Sequence, residues 1–155
     1  MKISIIAIGT KMPSWICEGY QEYACRLPKE YQISLIEIPS TKRFKTSNLE
    51  VIKKEEGQKI LNAISFNSYK IALEREGKAL TSETLAKKLE TWKLESINIS
   101  FIIGGPEGLS QECCLQAQEI WSLSKLTLPH PLVRVVLAEQ LYRAYSIIVK
   151  HPYHR

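Results

Sequence analysis

The sequence predicts an α/β fold built on a mostly parallel sheet with helices on both faces, and two observations carry that expectation. Short apolar, β-branched runs alternate with helix-period stretches along the whole chain, the pattern of repeated strand–helix units. The chain is 155 residues long, 45% hydrophobic and 24% charged, with no repeat, linker or low-complexity stretch, which suits a single domain over residues 1–155 with a core of normal size.

Lys2 to Gly9 reads as the first strand, and Pro13 to Leu27 as a helix with Trp15, Ile16, Gly19, Tyr23 and Leu27 at helical spacings. Tyr31 to Ile38 repeats the strand signal, Pro39 ends it, and the basic stretch Thr41-Lys42-Arg43-Phe44-Lys45 reads as a loop. Asn48 is a suitable N-cap for a helix reaching about Phe66, with Leu49, Ile52, Ile60, Leu61 and Ile64 inward. Tyr69 to Leu73 is a third strand, Thr81 or Ser82 opens a helix with Leu85, Leu89 and Trp92 on one face, and Ile97 to Ile103 is a fourth strand. Ser110 begins another helix and Lys125 to Leu128 forms a short fifth strand. Pro131, whose fixed φ suits a first helical turn, starts the last helix, which runs to about Lys150. In such a sheet ligands bind outside the carboxyl ends of the strands, where three loops are expected to converge: Glu74 to Lys78, Gly104 to Gly108, and Ser122 to Thr127.

The formal net charge is +5, and +4 of it falls within residues 125–155, which hold five Lys/Arg against one Glu. Charge gathered at one end points to a polyanionic partner, because a localised field steers and holds phosphate. Cys17, Cys25, Cys113 and Cys114 form no C-x-x-C pair and have no His at ligand spacing, so no metal is expected. The amino terminus carries no secretory apolar region, and no apolar run approaches the ~20 residues of a bilayer span. The expectation is a cytoplasmic protein with reduced thiols and no membrane partner.

Two segments concentrate the chemistry. FIIGGPEGLS, Phe101 to Ser110, is an apolar strand that runs into a glycine turn, where bare backbone can approach a ligand. It lacks the third glycine of the dinucleotide fingerprint and the Lys-Ser/Thr of a Walker loop, which disfavours an ordinary nicotinamide or ATP enzyme. Ser122 to Arg155 gathers all three histidines, His130, His151 and His154, with Arg134, Arg143, Lys150, Arg155 and the lone acid Glu139.

The segments GTKMP (Gly9 to Pro13), IGGPEGLS (Ile103 to Ser110), Ser122 to Ala144 and HPYHR (His151 to Arg155) resemble the RlmH family of small SPOUT-class methyltransferases, and the resemblance spans the whole chain. It implies an S-adenosylmethionine-dependent enzyme that methylates N3 of a pseudouridine in the 23S rRNA of the assembled ribosome and works as a homodimer. It also implies a carboxyl-terminal trefoil knot, which pattern reading would never propose because threaded chains are almost absent from proteins. The cofactor contacts it implies are Leu73, Gly104, Gly105, Leu123, Ser124, Lys125, Leu126, Thr127 and Leu128. Backbone donors and acceptors in such loops can read an adenine edge while leucines cover the ring. Without the resemblance, Leu73, Leu123, Leu126 and Leu128 read as plain core. Glu74 stands where relatives often carry Asp, and is longer by one methylene.

The implied reaction needs a methyl donor and a nitrogen held in line, removal of the N3 proton, and stabilisation of the charge that develops on the ring carbonyls. His154 is assigned as the base because imidazole moves protons near neutral pH. Arg143 and Tyr153 are the other catalytic candidates, as stabilisers of the anionic nucleobase, and water acting beside an arginine is an equal alternative to His154 as proton acceptor. His130, Arg155, Lys42 and Arg43 are the substrate-binding candidates, the last two beside Phe44, whose ring suits base stacking. Plainer readings stand next to these: Glu139 and Arg143 as an exposed helical ion pair, His130 as a cap of the last helix, and residues 41–45 as a solvated loop. Tyr153-His154-Arg155 is too short to fold alone and is expected to complete the neighbouring subunit's site. Apolar residues on more than one face of the last helix suit a two-fold interface. A non-catalytic RNA-binding module is the rival class, and cofactor binding separates the two.

Overall fold

The computed structural model describes residues Met1–Arg155. In chain order the elements are β1 (Ile3–Ile8), α1 (Ser14–Ala24), β2 (Ile33–Ile38), α2 (Leu49–Ala63), β3 (Tyr69–Ala79), α3 (Ser82–Leu94), β4 (Ile99–Ile103), α4 (Gln111–Gln116), β5 (Glu119–Ser122) and α5 (His130–Ile148), with 3-10 turns at Lys29–Tyr31 and Pro152–His154. The strands form one sheet in the order β2-β1-β4-β3-β5, and every pairing is parallel, as the strand–helix alternation predicts. β4 is inserted between β1 and β3, so the glycine turn that follows it emerges near the middle of the sheet.

Both faces of the sheet are covered, because successive side chains of a strand point to opposite sides. Ile5, Ala7, Phe101 and Ile103 pack with Tyr20 of α1, Leu85 and Leu89 of α3, and Leu137 and Leu141 of α5. Ile6, Ile8, Ala72 and Ile102 pack with Ile60 of α2 and Cys113 of α4. Fully burying such a side chain contributes roughly 1.5–3 kcal/mol relative to exposure, and these central strands supply the bulk of the core. No helix is long and apolar enough to cross a membrane.

The helix starts follow the expected chemistry. Asn48 Oδ1 accepts from Glu50 N at 3.0 Å, and of the two residues considered for α3 it is Thr81 that caps, its Oγ1 accepting from Thr84 N at 3.1 Å. Some boundaries and faces differ from expectation. α2 ends at Ala63, leaving Phe66 exposed beyond it, and Leu49, expected inward, is exposed in the first turn of α2; in α1 Ile16 is buried while its neighbour Trp15 is exposed.

Two corrections bear on the site. The fifth strand is Glu119–Ser122 and not Lys125–Leu128: Trp121 fills the core against Trp92 and Phe101, whereas Leu126 is 77% exposed. The leucines at 123, 126 and 128 therefore belong to a loop. β3 does not end at Leu73 but continues to Ala79 through an irregularity between Leu73 and Lys78, so that both Leu73 and Lys78 pair with Trp121. The two chains run so close there that a Cβ on Gly77 would lie 2.4 Å from the carbonyl carbon of Trp121.

α5 is anchored by Arg134, a cation with 1% exposure. Its Nη1 donates to Glu37 Oε2 at 2.7 Å, and its Nη2 donates to the carbonyl oxygens of Gly9 (3.3 Å) and Ile8 (3.4 Å). The helix is thus fixed over the carboxyl ends of β1 and β2.

Because rigid backbone opposes Gly77, Gly77→Ala cannot be absorbed by a rotamer change. It is expected to destabilise the fold by about 3 kcal/mol, the upper end of overpacking costs, read as a lowered urea midpoint; an unchanged midpoint would refute the close approach of Gly77 to Trp121.

Candidate functional site

An open cleft of about 720 Å³ at the carboxyl ends of the strands is lined from all three predicted segments, but the first of them is not a loop: Glu74 and Arg75, its two residues in the cleft, belong to β3, which continues to Ala79. Of the nine residues expected to contact a cofactor, eight line it: Leu73, Gly104, Gly105, Leu123, Ser124, Leu126, Thr127 and Leu128. Lys125 does not, being an exposed residue of the same loop.

The glycine turn is tight. Gly108 N donates to Gly105 O at 3.0 Å, and a Cβ on Gly104 would sit 2.4 Å from the carbonyl carbon of Gly108, so only glycine fits. Two acidic groups fasten it from either side. Glu74 Oε1, reaching from β3, accepts from Leu109 N at 2.7 Å. Glu107, within the turn, accepts from Arg43 Nε at 2.9 Å and also from Arg43 Nη2. The Arg43 guanidinium, through these bonds first, holds the Glu107 carboxyl below the usual carboxylate range. Neither fastening is visible in the sequence, because the partners lie 35 and 64 residues apart.

The loop after β5 has a different character. None of residues 123–128 makes a backbone–backbone hydrogen bond. It is held by side chains: Ser122 Oγ donates to Ser124 O at 2.8 Å, Leu126 N donates to Ser124 Oγ at 2.9 Å, and Arg75 Nη1 donates to Thr127 Oγ1 at 3.3 Å. Apart from Ser124 O and Leu126 N, the peptide groups of this loop are left uncommitted beside apolar side chains, which is what a planar heterocycle needs, hydrogen bonding at its edge and contact on its faces. The residues present therefore fit an adenosyl group, with the leucine wall and the peptide groups of 123–128 on one side and the glycine turn on the other.

His130 is the histidine of the cleft. It is the first residue of α5 rather than its cap, since the capping position is Pro129 and no side-chain cap bond is made. Burial first, and then the positive charges of Arg134 and Arg43, lower its pKa, so the imidazole is neutral at pH 7 and can accept a proton or a hydrogen bond.

The other expected catalytic residues lie elsewhere in the chain. Arg143 is thirteen positions beyond His130 on α5, roughly 20 Å along a helix that rises 1.5 Å per residue. There the carboxyl tail folds back as a 3-10 turn onto its own helix. Glu139 Oε1 accepts from Arg143 Nε (2.9 Å), Arg143 Nη2 (2.6 Å) and Tyr153 OH (2.9 Å), and the Tyr153 ring lies edge-on to Tyr142 at 4.7 Å. Glu139 and Arg143 thus form the half-buried centre of a cluster rather than the exposed pair of the plainer reading. Burial, then the bond to Glu139, raises the Tyr153 pKa, so the phenol stays a donor. Tyr153 finds these partners in its own chain, so the tail lies folded against its own helix. His154 Nδ1 is buried without a hydrogen-bond partner.

Among the expected substrate contacts, Lys42 and Arg155 are exposed. Arg43 is not a free cation: besides Glu107 it donates to Glu56 Oε1 at 3.1 Å and to Thr41 O at 3.1 Å.

A family model described as "Predicted SPOUT methyltransferase" matches residues 1–154. The chain is 52% identical over 155 residues to ribosomal RNA large subunit methyltransferase H of Saccharophagus degradans, and 50% identical over 155 residues to the protein of that name from Coxiella burnetii, covering 100% of both chains in each case. Among solved structures, a probable methylase family protein from Haemophilus influenzae superposes with a TM-score of 0.58 at 15% identity, over 99% of this chain and 70% of that one. A Legionella pneumophila structure described as a methyltransferase with bound cofactor SAM gives a TM-score of 0.50 at 13% identity, over 93% of this chain and 66% of that one. These distant likenesses concern the fold. Matched along nearly its whole length by the family model, and half identical to relatives of the same length, the chain belongs to the SPOUT methyltransferases, in the group of the ribosomal RNA large subunit methyltransferase H proteins.

Proposed function

We propose that this methyltransferase modifies N3 of a pseudouridine in the 23S rRNA of the assembled ribosome, in the cytoplasm, as a homodimer with the trefoil threading that its family resemblance implies. S-adenosylmethionine is the cofactor of a SPOUT methyltransferase and supplies an electrophilic methyl group. The observation that carries the reading is the cleft itself, where the glycine turn and the uncommitted peptide groups of residues 123–128 meet at the strand ends. Gly104 and Gly105 admit close approach, and Leu73, Leu123, Leu126 and Leu128 cover the heterocycle and exclude water.

The methyl acceptor is an imide nitrogen that must lose its proton, and its ring carbonyls must be stabilised as charge develops. Tyr153 is a phenol donor and Arg143 a guanidinium, both suited to the second task. Within one chain Arg143 stands ten helical positions, about 15 Å, beyond Val133, the last residue of α5 in the cleft, which favours a site completed by the neighbouring subunit's tail. His154 on that tail is the assigned base. His130 is a second candidate, favoured by its neutral state inside the cleft. Lys42 and Arg155 are left free for phosphate contact.

The direct test is transfer of labelled methyl from S-adenosylmethionine to assembled ribosomes lacking the modification, with the product mapped by mass spectrometry of 23S fragments. Label on N3 of a pseudouridine is expected, and label on another base or none would overturn the reading. Deleting Tyr153 to Arg155 is expected to abolish transfer while calorimetry still detects cofactor binding; equal loss of both would refute the division of labour between tail and cleft.

His130 also gives a pH prediction. A histidine whose folded-state pKa is lowered binds its proton more weakly folded than unfolded, so this contribution to stability is intact above the unfolded value near 6.5 and declines as pH falls below it. Urea midpoints are expected to drop between pH 7.5 and 5.5, and the drop should shrink in His130→Gln; an identical slope in the two proteins would exclude His130 as its source.

A further inference from the structure

The basic loop between β2 and α2 is fastened to the glycine turn by one side chain. Arg43 presents Nε and Nη2 to the two carboxylate oxygens of Glu107, and its Nη2 is shared with Glu56 Oε1. Glu56 is only 3% exposed, and besides Arg43 it is bonded only by Thr41 N at 3.3 Å. A carboxylate taken out of water needs a charge partner, so the demand of Glu56 keeps the guanidinium where it is. A Cβ on Gly105 would lie 3.5 Å from Arg43 Nη2 and 3.6 Å from Glu56 Oε1, so the arginine and its buried partner sit directly beneath the turn. Planar, two-pronged pairing fixes the orientation as well as the position of a carboxylate, which a point charge does not. Lys42, Phe44 and Lys45 are exposed on the same loop, and Arg43 differs from them in facing inward.

We propose that Arg43 is a positioning residue for the cofactor: by gripping Glu107 against buried Glu56 it holds the Gly104–Gly108 turn in its binding shape, and it takes no part in RNA contact. The proposal rests on the cofactor reading of the cleft. Preorganising a turn lowers the ordering cost of binding, so loosening the grip raises the cofactor dissociation constant and KM and leaves kcat at saturating cofactor near that of the parent protein.

The test uses Arg43→Lys, which keeps a cation beside Glu56 so that the fold is retained but cannot pair two-pronged with Glu107, together with Glu107→Gln and the double variant. Binding of S-adenosylmethionine and of its demethylated product is measured by calorimetry, and methyl transfer to ribosomes gives KM for each reactant. Each single variant is expected to weaken cofactor binding about tenfold, the size of a lost hydrogen bond to a charged group, and the double variant no more than either single. KM for ribosomes is expected to stay unchanged. Unaltered cofactor affinity in Arg43→Lys with a raised ribosome KM would overturn the proposal and make Arg43 an RNA contact; additive losses in the double variant would also overturn it. Failure of the parent protein to bind the cofactor would instead strike the reading of the cleft.

Discussion

The buried guanidinium of Arg134 is the interaction on which the rest of the arrangement depends. A cation inside a protein is costly unless its hydrogen bonds are met, and here the carbonyl oxygens of Ile8 and Gly9 and the carboxylate of Glu37 meet those of the two Nη groups, while Nε is buried without a partner. Those acceptors lie at the ends of β1 and β2, so satisfying the charge fixes the start of α5 above the strand tips. His130 and Val133, one wall of the cleft, are set by that anchor, and the far end of the same helix carries the cluster of Glu139, Arg143 and Tyr153. One helix therefore determines both where a ligand can sit and where the tail stands.

The charges near the cleft are mostly spent on architecture. Glu74 holds Leu109 N, Arg43 holds Glu107, and Arg134 holds strand ends. What is left open is backbone, in residues 123–128, together with leucine side chains. Such a surface recognises a flat heterocycle through its edge and faces rather than through net charge, which suits a cofactor that carries its own reactive cation. Uncommitted positive charge, on Lys42 and Arg155 among others, lies on the exposed surface where phosphate can reach it.

The tail is a short segment that packs against its own chain. Tyr153 is edge-on to Tyr142 and donates to Glu139, whose carboxylate also takes two bonds from Arg143. That aromatic contact and the one bond from Tyr153 to a charged acceptor help to offset the entropy of fixing a few residues. A tail already folded in this way can be offered to another surface without the ordering cost a disordered segment would meet.

The sequence by itself determined the strand–helix alternation, the parallel sheet, the capping of α2 by Asn48, and the glycine turn and the loop after β5 at the strand ends, because these follow from local periodicity and from turn and cap chemistry, while the structure chose Thr81 over Ser82 as the cap of α3. It also carried the motifs on which family membership rests. Only the tertiary structure decided that β5 is Glu119–Ser122 with Leu126 left in a loop, since a run of leucines reads alike as a strand or as a ligand wall until Trp121 claims the core. The same holds for Arg43, which looks like its neighbours Lys42 and Lys45 in the sequence. Its partners Glu56 and Glu107 are 13 and 64 residues away, and pairing over such distances is set by how the chain folds back and not by any local pattern.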